Sequence, residues 1–297
     1  MRRTLVFILT VLLAVAPLFG QSLTITDARN KSFTLPAKAT RIVSLSPAMT
    51  EIIYAAGAGN TLVGNTSWCN YPAEALNVAK VGGYSAQSIS VETIVALKPD
   101  LVFGELGSST DLAAAMDNAG LRFVAVNLKN FEDIFKAIEL VGRTAGDQTK
   151  AAAQVSEMRA RLAVVADKIS GIPVAARQRI FYEIWHEPLM TAGPNTFISQ
   201  IIVAGGGINI FDDVDSDWPI VSFESIIMRN PDYIVASDTH GENITNDKLV
   251  LRPGWASLRA VQQNRVALFD GDIISRPGPR FVDAVEMVAK RLNPRLF

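Results

Sequence analysis

The strongest constraint on the fold is an internal echo. SVETIVALKPDLVF at 90–103 aligns without a gap with SFESIIMRNPDYIV at 222–235, 132 positions further on. Ser90 and Ser222, Glu92 and Glu224, Ile94 and Ile226, Pro99 and Pro231, and Asp100 and Asp232 are identical pairs. A second echo pairs EIIYAAGAGN at 51–60 with QIIVAGGGIN at 200–209, in the same order along each half. One short amphipathic match is cheap, whereas two in the same order point to duplicated lobes. Each copy of the longer echo reads as a helix that must stop before its proline, followed by an apolar strand.

The first half adds Arg41 to Leu45 as a β-like run broken by Ser46-Pro47, a helical stretch to near Gly57, a helix around 111–119 and a strand at 122–126. Alternating units of this kind predict an α/β lobe with a mainly parallel sheet. From Phe131 to Ile169 strong helix formers dominate, and Gly146-Asp147 divides them into two helices. Ala151, Val155, Met158, Leu162 and Val165 recur at spacings of three and four, which gives the second helix one apolar face and the makings of a rigid spine. The expected organisation is an N-terminal lobe over 39–130, a helical segment over 131–170 and a C-terminal lobe over 177–293.

Residues 1–20, MRRTLVFILTVLLAVAPLFG, carry two arginines, an apolar run too short to span a bilayer and a polar continuation. They read as a secretory signal peptide. Removing them would leave 277 residues and move the formal charge from -1 to -3. No basic block follows, so nucleic acid is not an expected partner. One cysteine, Cys69, excludes an internal disulfide framework, and the two histidines, His186 and His240, exclude a histidine-rich metal centre. No metal ligand set and no catalytic group are assigned. Glu183, His186 and Glu187 form the one weak alternative, an extracytoplasmic enzyme or metal site acting on a small polar substrate.

Aromatic residues gather at expected strand ends, where open α/β sheets bind ligands. Trp68 and Tyr71 lie in SWCNYP at 67–72, with Tyr84 shortly after, and Trp185, Phe197, Trp218 and Trp255 supply comparable groups in the second half. SRPGPR at 275–280 sets Arg276 and Arg280 in a rigid segment suited to a carboxylate or phosphate, or simply to a charged turn. Glu92 and Glu224 stand at the starts of equivalent helices. Helix capping accounts for either alone, while the pair places one acid on each lobe, a geometry that fits a two-fold symmetric partner.

RIVSLSPAMTEIIYAAG at 41–57, VGNTSWCNYP at 63–72, ISVETIVALKPDLVF at 89–103, GGINIF at 206–211, WPIVSFESIIMRNPDYIV at 218–235 and RVALFDGD at 265–272 carry a family resemblance. Together they resemble the cobalamin and iron-siderophore class of periplasmic binding proteins of ABC importers, closest to the vitamin B12-binding members. The resemblance implies two Rossmann-like α/β lobes joined by a long rigid backbone helix, with a ligand clamped between them. It implies cobalamin or a related corrinoid as transported ligand, with haem or a ferric siderophore as the alternative, and no intrinsic cofactor. Trp68 and Tyr71 would lie on the loop facing the ring, with Tyr84 before the first docking helix and Trp218 before the second, Tyr182, Trp185 and Phe197 would approach from the other lobe, and Arg276 and Arg280 would meet peripheral amides or an anionic substituent. Glu92 and Glu224 match the family's acids that dock onto an ABC permease dimer, whose cytoplasmic ATPase supplies the energy. The resemblance thus places the mature protein in the periplasm or its equivalent, touching the membrane only through the permease.

Overall fold

The computed structural model describes residues 22–83, 85–107, 110–237 and 245–297. The leader, Tyr84 and His240 lie outside the described residues. The chain begins with an antiparallel hairpin of β1 (Leu23–Thr26) and β2 (Ser32–Leu35). Asp27 fixes this hairpin to the first lobe: its carboxylate accepts from the Arg29 and Lys31 amides and the Arg29 guanidinium, and also from the Ala125 amide at 3.2 Å. Burial pushes its pKa up, but these donors outweigh it and hold the acid below the usual carboxylate range.

The first lobe continues with β3 (Ile42–Ser44), α1 (Pro47–Ala55), β4 (Leu62–Gly64), α2 (Val91–Ala96), β5 (Leu101–Glu105), α3 (Thr110–Asn118) and β6 (Phe123–Val126). Its strands are parallel, in the order β4-β3-β5-β6. IVS, LVF and FVAV are buried throughout, as expected when helices cover both faces of a parallel sheet. Ser46 starts α1 by accepting from the Met49 amide at 3.2 Å, with Pro47 in the first turn, where its missing N–H costs nothing.

Two helices then cross to the second lobe. α4 (Phe131–Thr144) is capped by Asn130, and α5 (Gln148–Ser170) by Asp147, which accepts from the Thr149 and Lys150 amides. The handover at Gly146 is tight, since a Cβ there would stand 2.3 Å from the Ala56 carbonyl oxygen. With 23 residues, α5 is about 34 Å long. It buries Ala151, Val155, Met158 and Val165 of the predicted face and Ile169 one turn further on, while Leu162 is only partly buried.

The second lobe comprises β7 (Arg179–His186), β8 (Leu189–Thr191), α6 (Phe197–Ala204), β9 (Ile208–Asn209), α7 (Phe223–Arg229), β10 (Tyr233–Ser237), α8 (Asn246–Leu251), α9 (Arg259–Gln262), β11 (Val266–Phe269), α10 (Gly271–Ile274) and α11 (Phe281–Leu292). Strand β7 pairs in parallel with β9 and β10, and β10 with β11. The order β9-β7-β10-β11 repeats that of the first lobe, and β8 is an antiparallel addition to β7. The echoed segments fall on equivalent elements, α1 with α6, and α2-β5 with α7-β10.

Duplication extends to a side-chain clasp. Asp100 donates its amide to the Arg41 carbonyl at 2.7 Å and accepts from the Arg41 amide at 3.0 Å, while the Arg41 guanidinium donates to the Leu97 carbonyl at the end of α2. In the second lobe Asp232 donates to the Arg179 carbonyl at 2.7 Å and accepts from the Arg179 amide at 2.9 Å, while the Arg179 guanidinium reaches the Arg229 carbonyl at the end of α7. Each echoed Pro-Asp therefore locks the start of a central strand to the end of a helix.

One apolar cluster runs between the lobes. Phe131 stacks on Phe281 at 4.2 Å, with Phe197 and Phe135 packed around the pair at 5.8–6.1 Å. Arg161 on α5 pairs with Asp283 and Glu286 on α11. The spine is thereby fastened to the second lobe by both apolar and ionic contacts.

Candidate functional site

The carboxyl ends of the two sheets meet across a polar cluster. Glu51 on α1, just beyond β3, has a side chain only 2% exposed. Its Oε1 accepts from Arg276 Nη1 and Arg280 Nη2, each at 2.8 Å, and its Oε2 from Arg280 Nε at 3.0 Å. Both arginines lie beyond β11 in the other lobe. Arg276 also donates to Asp272 Oδ1 at 2.6 Å and to Asn70 Oδ1 at 3.0 Å, and Asn70 Nδ2 donates to Asp272 Oδ2 at 2.6 Å. Burial alone would lower the Arg280 pKa, but the Glu51 carboxylate outweighs it and holds the guanidinium above its usual range. Burial lifts the nearby Glu105 carboxyl above the ordinary value, against the opposing pull of the Ser46 hydroxyl and Arg276.

This arrangement changes the reading of Arg276 and Arg280. They are not open cations awaiting an anionic substituent, because two carboxylates already satisfy them. Glu51, Asn70 and Asp272, the residues that do so, carry no local signal in the sequence. Glu51 lies 225 and 229 positions from its partners.

One aromatic ring touches the cluster, and three others stand exposed near strand ends. Tyr71 lies beneath the Arg280 guanidinium, 4.2 Å from ring centroid to Cζ, and is about half exposed. Trp68, three residues earlier in the loop after β4, is 63% exposed. From the second lobe Trp185 lies near the end of β7, its indole N–H held by the Glu187 carbonyl at 2.8 Å, and is also about half exposed. Trp218 precedes the bridge between Ile220 and Met190 on β8, which sets it beside the same edge of the sheet. Large apolar groups left open at the carboxyl ends of strands are the substance of a ligand cleft.

Two predicted contacts are placed elsewhere. Phe197 opens α6 and is turned into the aromatic core against Phe131 on α4 and Phe281 on α11, with Ile198, Ile201 and Ile202 of the same helix also buried. Tyr182 is fully buried in β7, its hydroxyl 3.3 Å from Ser275 Oγ. Trp255 is likewise internal, stacked on Phe223 at 5.6 Å.

Glu183 is buried and held bidentately by Arg252 at 2.7 and 3.0 Å, which removes it from any joint site with the exposed His186 and Glu187. Among the described residues no group of three or more His, Cys, Asp or Glu side chains could hold a metal ion. Cys69 is buried between Thr50 and Thr66, within hydrogen-bonding distance of both hydroxyls.

The two echoed acids are exposed, each in the first turn of its helix behind a serine cap. Ser90 accepts from the Thr93 amide and Ser222 from the Ser225 amide. The backbone amide of Glu224 and the Ser222 hydroxyl hold the Glu224 carboxyl below its ordinary value. Among the described residues no helix is long and apolar enough to cross a membrane.

Comparison with known proteins agrees with this architecture. The family model described as periplasmic binding protein matches residues 42–273. An uncharacterised ABC transporter substrate-binding lipoprotein of Bacillus subtilis, YvrC, is 33% identical over 279 residues, covering 92% of this chain and 86% of its own. The periplasmic vitamin B12 binding protein BtuF of Vibrio cholerae superposes with a TM-score of 0.73 at 29% identity, covering 86% of this chain and 97% of its own. The periplasmic heme-binding protein RhuT of Roseiflexus sp. RS-1 gives 0.75 at 25% identity, over 87% and 100%. With two echoed α/β lobes, a helical spine and a family match across both, the chain belongs to the periplasmic binding protein family.

Proposed function

We propose that this protein is the extracytoplasmic solute-binding component of an ABC importer and that its cargo is cobalamin or a related corrinoid. The observation that carries the choice of cargo is the charge balance of the cleft. Trp68, Tyr71, Trp185 and Trp218 offer open apolar surface, while Arg276 and Arg280 are matched by Glu51 and Asp272. A corrin ring rimmed by neutral amides suits aromatic walls around a neutralised polar floor. Haem brings two propionates and a ferric siderophore brings anionic chelating groups, and either asks for cations that are not already spent.

The two lobes would close on the ligand and present Glu92 and Glu224, one from each lobe, to the two halves of a permease dimer. Basic residues there would be their complement. The protein itself performs no chemical conversion in this scheme, and ATP hydrolysis belongs to the partner assembly.

Calorimetry and ultraviolet-visible titration with cyanocobalamin, haemin and a ferric siderophore test the cargo. Cyanocobalamin should bind with a Kd of about 1 μM or below, the others at least about tenfold more weakly. Trp68→Ala should raise the cyanocobalamin Kd about tenfold, in line with loss of an aromatic anchor, with little loss of folding stability. Tight haemin binding with no cyanocobalamin binding would overturn the corrinoid assignment, and an unchanged Kd in the variant would remove Trp68 from the site.

A further inference from the structure

The polar cluster between the lobes is built around Glu51. Glu51 holds both guanidiniums through three hydrogen bonds of 2.8–3.0 Å. The turn between the arginines closes tightly over it, since a Cβ on Gly278 would stand 3.1 Å from Glu51 Oε2. Asp272, with a partly exposed side chain, takes the remaining direction of Arg276. The Arg276 and Arg280 side chains are left 11% and 16% exposed. The cluster nevertheless borders the open aromatic wall, because Arg280 forms one face of the environment of the half-exposed Tyr71 ring.

We infer that Glu51 sets the charge specificity of the cleft, by occupying Arg276 and Arg280 and so denying carboxylate-bearing ligands the cations they would pair with. This rests on the proposed location of the ligand site beside Trp68 and Tyr71, and it identifies the residue that decides which charge class the site accepts. Arginine is the side chain best suited to bind carboxylates in a fork geometry, so two of them beside an aromatic wall would ordinarily mark an anion site. Here a buried carboxylate from the opposite lobe fills the fork first. Displacing it would leave Glu51 buried and unpaired, which is strongly unfavourable. An anionic ligand therefore faces a competitor already in place. Burial pushes the Glu105 pKa up, while this acid feels the Arg276 charge as well.

Glu51→Gln keeps the size and one acceptor of the side chain and removes the charge. Haemin is the anionic probe, titrated against wild type and variant at low salt and again at 0.5 M NaCl, with circular dichroism and the thermal midpoint recorded for each protein. The variant should bind haemin about tenfold or more tightly than wild type at low salt, and most of that gain should vanish at high salt. A merely structural role for Glu51 would weaken binding or leave it unchanged, and neither outcome carries the salt-sensitive gain. Unchanged or weaker haemin binding in a folded Glu51→Gln protein overturns the inference. Should that variant fail to fold, Asp272→Asn at the more exposed end of the cluster should show the same gain at smaller size, and no gain there overturns it equally. Cyanocobalamin titrated into wild type in the same series separates the two conclusions. Its failure to bind rejects the corrinoid cargo, while the haemin comparison still decides the role of Glu51.

Discussion

Replacing Asp100 by alanine should loosen one lobe and leave its duplicate intact. The Asp100 carboxylate accepts from the Thr40 amide at 2.7 Å, the Thr40 hydroxyl at 3.1 Å and the Arg41 amide at 3.0 Å. A hydrogen bond to a charged group contributes about 1.5–3 kcal/mol when well buried. These three lie on an accessible rim, where water replaces part of what is lost, so the whole clasp should contribute about 2 kcal/mol. With a urea dependence of about 3 kcal/mol/M, the unfolding midpoint should fall by about 0.7 M. Hydrogen exchange resolves the origin: amides over 39–46 should exchange about thirtyfold faster, while those over 177–184 keep their protection. Asp232→Ala should give the mirror result. The acid limb provides a second check. Burial raises the Asp100 pKa, but hydrogen bonds from Thr40 and Arg41 outweigh it and leave the folded value lowered. Its contribution is therefore fully present above the unfolded-state value near 3.9 and drains away as pH falls through the lower folded value. Asp100→Ala should lack that part of the acid dependence. Equal loss of protection in both lobes, or none in either, would refute the view that each Pro-Asp pair secures only its own sheet.

Three further outcomes follow from other parts of the molecule. Phe281→Ala removes the ring stacked on Phe131 from a fully buried position and should cost about 4 kcal/mol, read as a shift in chemical denaturation, with a loss under 1 kcal/mol showing that the interlobe cluster is not a shared core. Glu92→Arg combined with Glu224→Arg should retain cargo affinity in calorimetry and abolish uptake in cells, and normal uptake would remove the docking assignment. Asp27→Asn should loosen the β1–β2 hairpin against β6, where the Ala28 amide and Arg29 guanidinium still hold it, with peptide-level hydrogen exchange rising over 23–35. Because the folded Asp27 pKa is lowered, its stabilisation should persist at neutral pH and be lost as pH falls through the folded value, so variant and wild type should converge in acid.

What could be read from the sequence depended on how local the determining interactions are. The serine cap, the first-turn acid and the Pro-Asp strand start of each echo fall within fourteen consecutive residues, and all reappear as α2-β5 and α7-β10. The spine was legible for the same reason, since its apolar periodicity and its Asp147 cap are local properties. Arg276 and Arg280 were visible as a pair, but whether a guanidinium is free depends on its partner, and Glu51 sits more than two hundred positions away. Phe197, expected at the cleft, lies in the core against Phe131 and Phe281, since aromatic character alone does not distinguish a cleft wall from the core beneath it. The β1–β2 hairpin escaped notice because the contacts that tie it to the lobe are distant in sequence: the Ala28 amide donates to the Ala125 carbonyl at 2.9 Å, Arg29 to the Phe123 carbonyl at 2.7 Å, and Asp27 accepts from the Ala125 amide 98 positions on.

The same duplication that reveals the fold also shows where to look for function, because positions that match between lobes maintain the architecture and positions that diverge are released from it. The shorter echo sets Glu51 opposite Gln200, on the equivalent helices α1 and α6. Gln200 makes a neutral bond from Nε2 to the Lys129 carbonyl at 2.9 Å and tethers α6 to the loop before α4. Glu51 uses the same helical position to reach across the cleft and bind two guanidiniums. A neutral side chain therefore satisfies the architecture at this position, and the carboxylate on α1 answers to Arg276 and Arg280. The acid of that pairing comes from the first lobe, beside Tyr71, which is where a specificity element should lie if the two lobes share a scaffold but contribute unequally to the ligand.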